Sequence, residues 1–330
     1  MRFAPIGAEG QGRISASRVA LIGAGALGSV AAELLVRAGI AFIRIVDRDF
    51  VECSNLQRQS LYDEDDVRKN LPKAEAAAAK LRRINSGVQI ESVVDDVNPT
   101  NVEDYIRDVD VVLDALDNFE TRFVLNDACA SQSRPWIYAA AVASYGLVMP
   151  ILPGKTPCLR CMLGSLPAPG APTCDTAGVI GPITHIVASI QVAEALKVMC
   201  RVLEPADVRL LTYDVWTHNF RRIEPGRDAM QSCPVCSERR FDYLNGSPLR
   251  TVTLCGRNAV QLIPAVKTDL DLSQLSKSIP AKGEIQFNEF LLKCYAPPYE
   301  VTVFRDGRAI VRGTEEPAMA RSVYSKLIGA

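Results

Sequence analysis

Cys158-Leu-Arg-Cys161 and Cys233-Pro-Val-Cys236 are two C-x-x-C knuckles in one chain. Each knuckle turns two thiolates toward one point, and two knuckles supply the four soft ligands of a tetrahedral structural zinc. Four thiolates leave no open coordination position, so the ion would staple the chain and not catalyse. The alternative, four unmetallated buried thiols, fits the paired spacing poorly. Between the knuckles stands Cys174, beside Asp175 and Thr176. As an accessible thiolate it would be a nucleophile; as a buried thiol it would be inert. Cys53, Cys129, Cys200, Cys255 and Cys294 lack partner spacing and read as core fillers. Only two histidines are present, His185 and His218, too few for a histidine ligand cluster. His185 falls on an apolar stretch and reads as a core residue.

A second chemistry belongs to Gly23-Ala-Gly25-Ala-Leu-Gly28. Glycines at these positions let the backbone approach a phosphate and seat it at a helix N-terminus, where free N–H groups favour anions. Asp47 closes the next apolar run and can accept hydrogen bonds from both ribose hydroxyls. This fingerprint suits NAD as well as ATP. The residues beyond it are less suited to NAD. Asn55-Leu-Gln-Arg58-Gln59, Lys73 and Asp117-Asn118 all follow the carboxyl ends of expected strands. Two cations and a carboxylate around a nucleotide point to a triphosphate with magnesium. Arg58 and Lys73 can stabilise charge on phosphoryl oxygens, and Asp117 can hold Mg²⁺. Taken singly, Arg58 and Lys73 would be solvated surface charges and Asp117 a helix cap; their joint placement favours the site.

The elements that would hold these groups alternate in type. Arg18–Gly23 reads as a buried strand, 26–38 as a helix with Gly39 as its stop, and Phe42–Asp47 as the next strand. Pro72 suits the first turn of an alanine-rich helix ending near Asn85. Further strands are expected at 88–94, 109–115 and 135–139, with a helix from Asp117 to about Ser131. Ser165–Gly178 has no period and reads as a loop, Gly181-Pro182 opens an apolar helix to about Met199, and Val208–Val215 returns to strand. This order gives an α/β fold with a mainly parallel, doubly wound sheet of Rossmann type. A domain over residues 1–245 is expected, then a small α/β domain over 246–330 of unassigned role. The latter reads as a strand, a helix at 271–278, three strands and a helix at 316–328, with a hairpin turn at Asp306-Gly307.

Composition excludes several classes. The 330 residues are 48% apolar, enough for a full core, and 37 basic residues balance 38 acidic ones. A net charge of −1 offers no footprint for nucleic acid or an anionic membrane. No apolar run approaches the roughly 20 residues that span a bilayer. Met1-Arg-Phe-Ala-Pro-Ile-Gly has no signal-peptide architecture, so a cytoplasmic setting with thiol and metal chemistry is expected instead of a disulfide framework.

The glycine loop, Asp47-Arg-Asp49, Asn55-Leu-Gln-Arg58-Gln59, Pro72-Lys73, Asp114-Ala-Leu-Asp117-Asn118, both knuckles and Cys174-Asp-Thr-Ala-Gly178 occur in one order. In that order the chain resembles the ThiF/MoeB family of sulfur-carrier adenylyltransferases, relatives of the ubiquitin-activating enzymes. The motifs cover about residues 4 to 240. The resemblance implies ATP-dependent adenylation of the C-terminal glycine of a small ubiquitin-like carrier ending in Gly-Gly, by a homodimer. It assigns Asp47 to ribose, Asn55, Arg58 and Lys73 to phosphates, and Asp117 to magnesium. Asp49, Gln59 and Asn118 join the nucleotide site through the same motifs, and Cys174 is linked with thioester or persulfide chemistry. Family members carry an arginine in a short N-terminal stretch that reaches the partner subunit's nucleotide; here Arg2 or Arg13 would substitute for it. The sulfur would go to the thiamin thiazole or to molybdopterin. Rival readings are adenylation of a short peptide and, both less suited to Arg58, Lys73 and Asp117, a non-catalytic scaffold that binds a carrier and an NAD-linked dehydrogenase.

Overall fold

Five short apolar runs make the parallel half of a sheet. β1 (Arg18–Ile22), β2 (Phe42–Val46), β3 (Gln89–Val93), β4 (Val111–Asp114) and β5 (Trp136–Val142) lie in the order β3-β2-β1-β4-β5. Every pairing among them is parallel. Alternate residues serve opposite faces, as the pleat requires. Leu21, Ile43, Leu113 and Ile137 pack into one core with α2 (Ala26–Ala38), α4 (Lys73–Ile84) and the long helix Gly181–Cys200. Ile22, Phe42, Val112 and Trp136 pack into the other core with helix Phe119–Ser131 and the cysteine knuckles. Burial on both faces is why these strands read as continuous apolar runs.

The computed structural model describes residues 3–164, 177–245, 251–254, 258–263, 269–279 and 284–328. The chain divides into two compact units, Met1–Gly246 and Ser247–Ala330. Among the described residues the remaining α-helices of the first unit are, in chain order, α1 (Gly7–Ala16), α3 (Glu64–Arg68), α5 (Val102–Ile106), α6 (Phe119–Ser131), α7 (Leu159–Leu163) and α8 (Gly181–Cys200). Gly39 caps α2 in the left-handed conformation, with φ 78°. Pro72 is the residue before α4 and not its first turn, so the helix opens on Lys73.

Beyond β5 the sheet turns antiparallel. β6 (Tyr145–Ile151), β7 (Leu210–Asp214) and β8 (Asn219–Ile223) complete eight strands in the order β4-β5-β6-β7-β8. β6 and β8 carry no strand signature in the sequence. β6 contains Gly146 and Pro150, which read as breakers, yet glycine is required where β6 meets α8: a Cβ on Gly146 would lie 2.1 Å from Val187 Cγ2. β8 is exposed at every position and so lacks apolar alternation.

α8 corrects the expectation that no apolar run approaches spanning length. Its 20 residues are long and apolar enough to cross a membrane by length and composition alone. Over half of that window is buried inside the protein, on β4, β5 and β6 and against α2. Its apolarity therefore serves the core.

The second unit has an antiparallel sheet of six strands in the order β11-β12-β13-β14-β10-β9. These are β9 (Thr251–Leu254), β10 (Ala259–Leu262), β11 (Ile285–Phe287), β12 (Leu291–Ala296), β13 (Tyr299–Phe304) and β14 (Ala309–Arg312), with α9 (Leu272–Ser278) and α10 (Pro317–Ile328). Two strands precede α9 where sequence marks one, and four follow it where sequence marks three. β9, β10 and β11 have four, four and three residues, too short for a periodic signal. The turn at Asp306-Gly307 joins β13 to β14, with Gly307 at φ 86°.

Candidate functional site

β1 and β4 are neighbours, and the chain leaves them toward opposite faces, to α2 from β1 and to α6 from β4. That divergence opens the crevice in which doubly wound sheets bind ligands. The glycine loop lines it. Gly23 has φ +99°, and a Cβ there would lie 2.4 Å from Ala115 O. A Cβ on Gly28 would lie 2.1 Å from Gly23 O. Both glycines are thus demanded by the protein's own packing. Gly25 is different: a Cβ would meet only Gln59 Nε2, at 3.8 Å. No protein atom excludes a side chain there, so the packing of the chain does not account for this glycine.

Asp47 has two roles at the loop. Its Oδ2 accepts the Ala24 N–H at 2.6 Å and its Oδ1 the Asp49 N–H at 2.7 Å. Burial pushes its carboxyl up from the ordinary range; Lys73 and the two N–H donors oppose this, while Asp49 adds to it. Lys73 is 5% exposed, with Nζ 3.1 Å from Asp49 Oδ2 and its N–H 2.9 Å from Asp49 O. A buried lysine opening a helix beside the loop is a fixed cation, not a surface charge. Tyr62 ties the two parts together: its hydroxyl donates to Ala24 O at 2.7 Å and lies 3.2 Å from Lys73 O.

The segment 55–59 is a turn packed between loop and α8. Asn55 Oδ1 accepts the Glu52 N–H at 3.0 Å, closing the turn. Arg58 is half-buried and donates from Nη1 to Ser54 O at 3.0 Å. Gln59 is 3% exposed; its Oε1 is buried without a hydrogen-bond partner, and its Nε2 is the atom that a Cβ on Gly25 would meet. A Cβ on Gly181 would lie 3.2 Å from Gln57 O, so the start of α8 seats this turn.

After β4 the chain passes Asp114-Ala-Leu-Asp117-Asn118. Asp117 is exposed at the carboxyl edge, and Asn118 Nδ2 lies 3.3 Å from its Oδ1. Asn118 is the cap of α6, accepting the Thr121 N–H on Oδ1 at 2.9 Å. The helix-cap role thus falls to Asn118 and leaves the Asp117 carboxylate on the crevice edge. Beneath them Asp114 is wholly buried and pairs with Arg122 Nε at 3.0 Å. Gln191 of α8 donates to Asp114 O at 2.7 Å and Ile137 O at 2.9 Å. Tyr62, Arg122 and Gln191 were not apparent from motifs. The one available signal was a carboxylate ending an otherwise apolar strand, which demands a buried cation.

The four knuckle sulfurs converge. Cys158 and Cys161 Sγ are 3.8 Å apart, Cys158 and Cys233 3.7 Å, Cys161 and Cys236 3.6 Å, and all lie within 4.8 Å of one another. A tetrahedron with metal–sulfur bonds near 2.3 Å has edges of about 3.8 Å. Hydrogen bonds from Cys158 and Cys161 hold Cys236 down to about 4, while Cys158 and Cys236 push Cys161 up. The cluster can share one thiolate unaided; four thiolates require a cation. Cys158 caps α7, and Leu159 N–H donates to Asn126 Oδ1 of α6 at 3.0 Å. The second knuckle is tied to the same helix, since Asp127 Oδ2 accepts the Tyr243 N–H at 2.9 Å.

Other expectations resolve differently. Cys53 is exposed on the turn before Asn55 and fills no core, whereas Cys129, Cys200 and Cys294 are buried. Arg13 donates to Cys200 O at 2.6 Å and pairs with Glu9, which makes it a clamp between α1 and α8. His185 is half-buried, its Nδ1 2.9 Å from Gly181 O. Cys174, Cys255 and Arg2 lie outside the described residues.

The ThiF family model matches residues 1–235. The sulfur carrier protein ThiS adenylyltransferase of Bacillus subtilis (strain 168) is 44% identical over 329 residues, 99% of this chain and 97% of that one. The SAMP-activating enzyme E1 of Haloferax volcanii is 42% identical over 240 residues, 72% of this chain and 87% of that one. Among solved structures, E. coli MccB with MccA-N7isoASN matches with a TM-score of 0.62 and 23% identity, over 69% of each chain. At that identity the likeness is one of fold.

Proposed function

This chain belongs to the ThiF family, and we propose that it transfers AMP from ATP to the C-terminal glycine carboxylate of a small ubiquitin-like sulfur carrier, releasing pyrophosphate. A carboxylate is a poor electrophile. Its attack on the α-phosphorus breaks the bond to the β-phosphate oxygen and leaves an acyl-adenylate with a good leaving group. Little acid–base chemistry is needed, because positioning and charge stabilisation lower the barrier. The carrying observation is Lys73, a buried cation paired with Asp49 at the mouth of a glycine loop. It supports a triphosphate over a dinucleotide.

In this reading Gly25 gives the phosphates room, Asp47 takes the ribose, and Lys73, Arg58, Asn55 and Gln59 face the phosphoryl oxygens. Lys73 exchanges Asp49 for phosphate, and Arg58 swings from Ser54 O. Asp117 would hold Mg²⁺, which neutralises phosphoryl charge when bound; an exposed carboxylate at the crevice edge fits a hard cation. Cys158, Cys161, Cys233 and Cys236 would hold Zn²⁺, supported by sulfur spacings of 3.6 to 3.8 Å. A homodimer in the cytoplasm completes the proposal.

The test is ATP–pyrophosphate exchange with carriers ending in Gly-Gly. A ThiS-type carrier comes first, since that is the carrier in the name of the Bacillus subtilis relative. Exchange that depends on both the carrier and Mg²⁺ is expected. Tight NAD binding, with no exchange for any such carrier, would overturn the proposal.

A further inference from the structure

Asp117 sits on a loop with no regular structure, yet a metal-holding carboxylate must stand in one place. Leu116, the residue before it, is held at both of its polar backbone atoms. Its N–H donates to Asp114 Oδ1 at 2.9 Å, and its carbonyl accepts from Arg122 Nη2. The Leu116 carbonyl belongs to the same planar peptide as the Asp117 nitrogen. Pinning that oxygen therefore fixes the plane from which the Asp117 side chain departs. On the other side, Asn118 is locked as the cap of α6.

Arg122 lies on the next turn of that helix. It is 4% exposed, and its guanidinium also meets Asp114 Oδ2 at 3.0 Å and Ala139 O at 3.0 Å. One planar fork thus binds the end of β4, the loop, and β5. A fork of this kind is pre-organised in a way that a lysine is not.

We propose that Arg122 is a positioning residue for adenylation: through the Leu116 carbonyl it sets where the Asp117 carboxylate stands. The role rests on the adenylation reading, in which Asp117 holds the metal, but the loop geometry does not. Burial works against the Arg122 charge, and Asp114, Tyr138 and Asp117 outweigh it, so the cation is felt at Asp117 as well. Arg122 does not touch the reacting atoms.

Arg122→Lys keeps the charge beside Asp114 but replaces the planar fork that spans the three acceptors with a single ammonium. Two measurements decide. In the metal-free full-length protein, hydrogen exchange should accelerate in the peptide spanning residues 115–118 and stay unchanged in β1, β2 and the knuckles. In carrier-dependent exchange, the Mg²⁺ concentration for half-saturation should rise about tenfold or more, with the KM for ATP nearly unchanged, as when a supporting shell around a metal is lost. Unchanged protection at 115–118 together with an unchanged Mg²⁺ requirement would overturn the proposal. So would a uniform fall in activity without a magnesium shift.

If Arg122→Lys does not fold, the double variant Asp114→Asn/Arg122→Gln takes its place. It removes the fork without leaving a lone buried charge, which is the costly case. Should the unaltered chain show no exchange with any carrier, the adenylation reading falls. The protection measurement, made without substrate, would still decide what Arg122 holds.

Discussion

The glycines of the phosphate loop divide by what they meet. Gly23 and Gly28 are required by backbone oxygens of the protein itself, and Gly25 by none. Gly28→Ala should therefore lower stability by about 1–3 kcal/mol or more through overpacking, since its neighbour is a carbonyl oxygen at 2.1 Å and cannot swing aside. Gly25→Ala should leave the melting temperature unchanged and weaken ATP binding. Thermal denaturation and ATP calorimetry separate the two, and a destabilised Gly25→Ala with normal ATP affinity would contradict the assignment. Asp47 carries a similar lesson. It holds the loop through the Ala24 N–H, so Asp47→Ala removes that anchor along with the ribose contact proposed for it.

At the scale of elements, the cysteine knuckles join segments far apart in the chain. Cys158 opens α7 against α6, and the chain after Cys236 returns to α6 through Tyr243, which stacks on Phe123 at 4.8 Å. A metal there would fasten the end of the first unit onto the face of the sheet that carries Trp136. Protein purified without chelator should contain one zinc per chain by elemental analysis. Cys233→Ala should lose it and unfold at markedly lower denaturant, because metal binding contributes folding free energy. A metal-free chain of full stability would refute this role.

For the whole molecule the second unit is what separates one relative from the other. The Bacillus subtilis relative matches over 99% of this chain, second unit included, whereas the Haloferax volcanii relative matches over 72%. The first is named an adenylyltransferase and the second an activating enzyme, so the adenylation machinery is expected to reside in the first unit. A chain ending at Gly246 should fold, keep its zinc and retain carrier-dependent pyrophosphate exchange. If exchange vanishes from a folded, zinc-replete truncation, the second unit takes part in the chemistry or in seating the carrier.

What the sequence determined by itself was local in origin. A C-x-x-C turn brings two thiols together whatever surrounds it, a glycine at Gly23 permits a positive φ, and short continuous apolar runs mark β1, β2 and β4. The glycine loop, Asp47, Lys73, Asp117 and the knuckles were legible for that reason. Tertiary structure decided what depends on neighbours distant in sequence. It put β4 beside β1, which is why Gly23 must be glycine, and it placed the start of α8 under the turn that carries Arg58. It gave Asp114 its partners Arg122 and Gln191, and turned β6, β7 and β8 antiparallel. It also gave the strand-breaking Gly146 its place under Val187. Such contacts come from chain segments meeting in a shared core, and no period, cap or motif within one segment encodes which other segment it will meet.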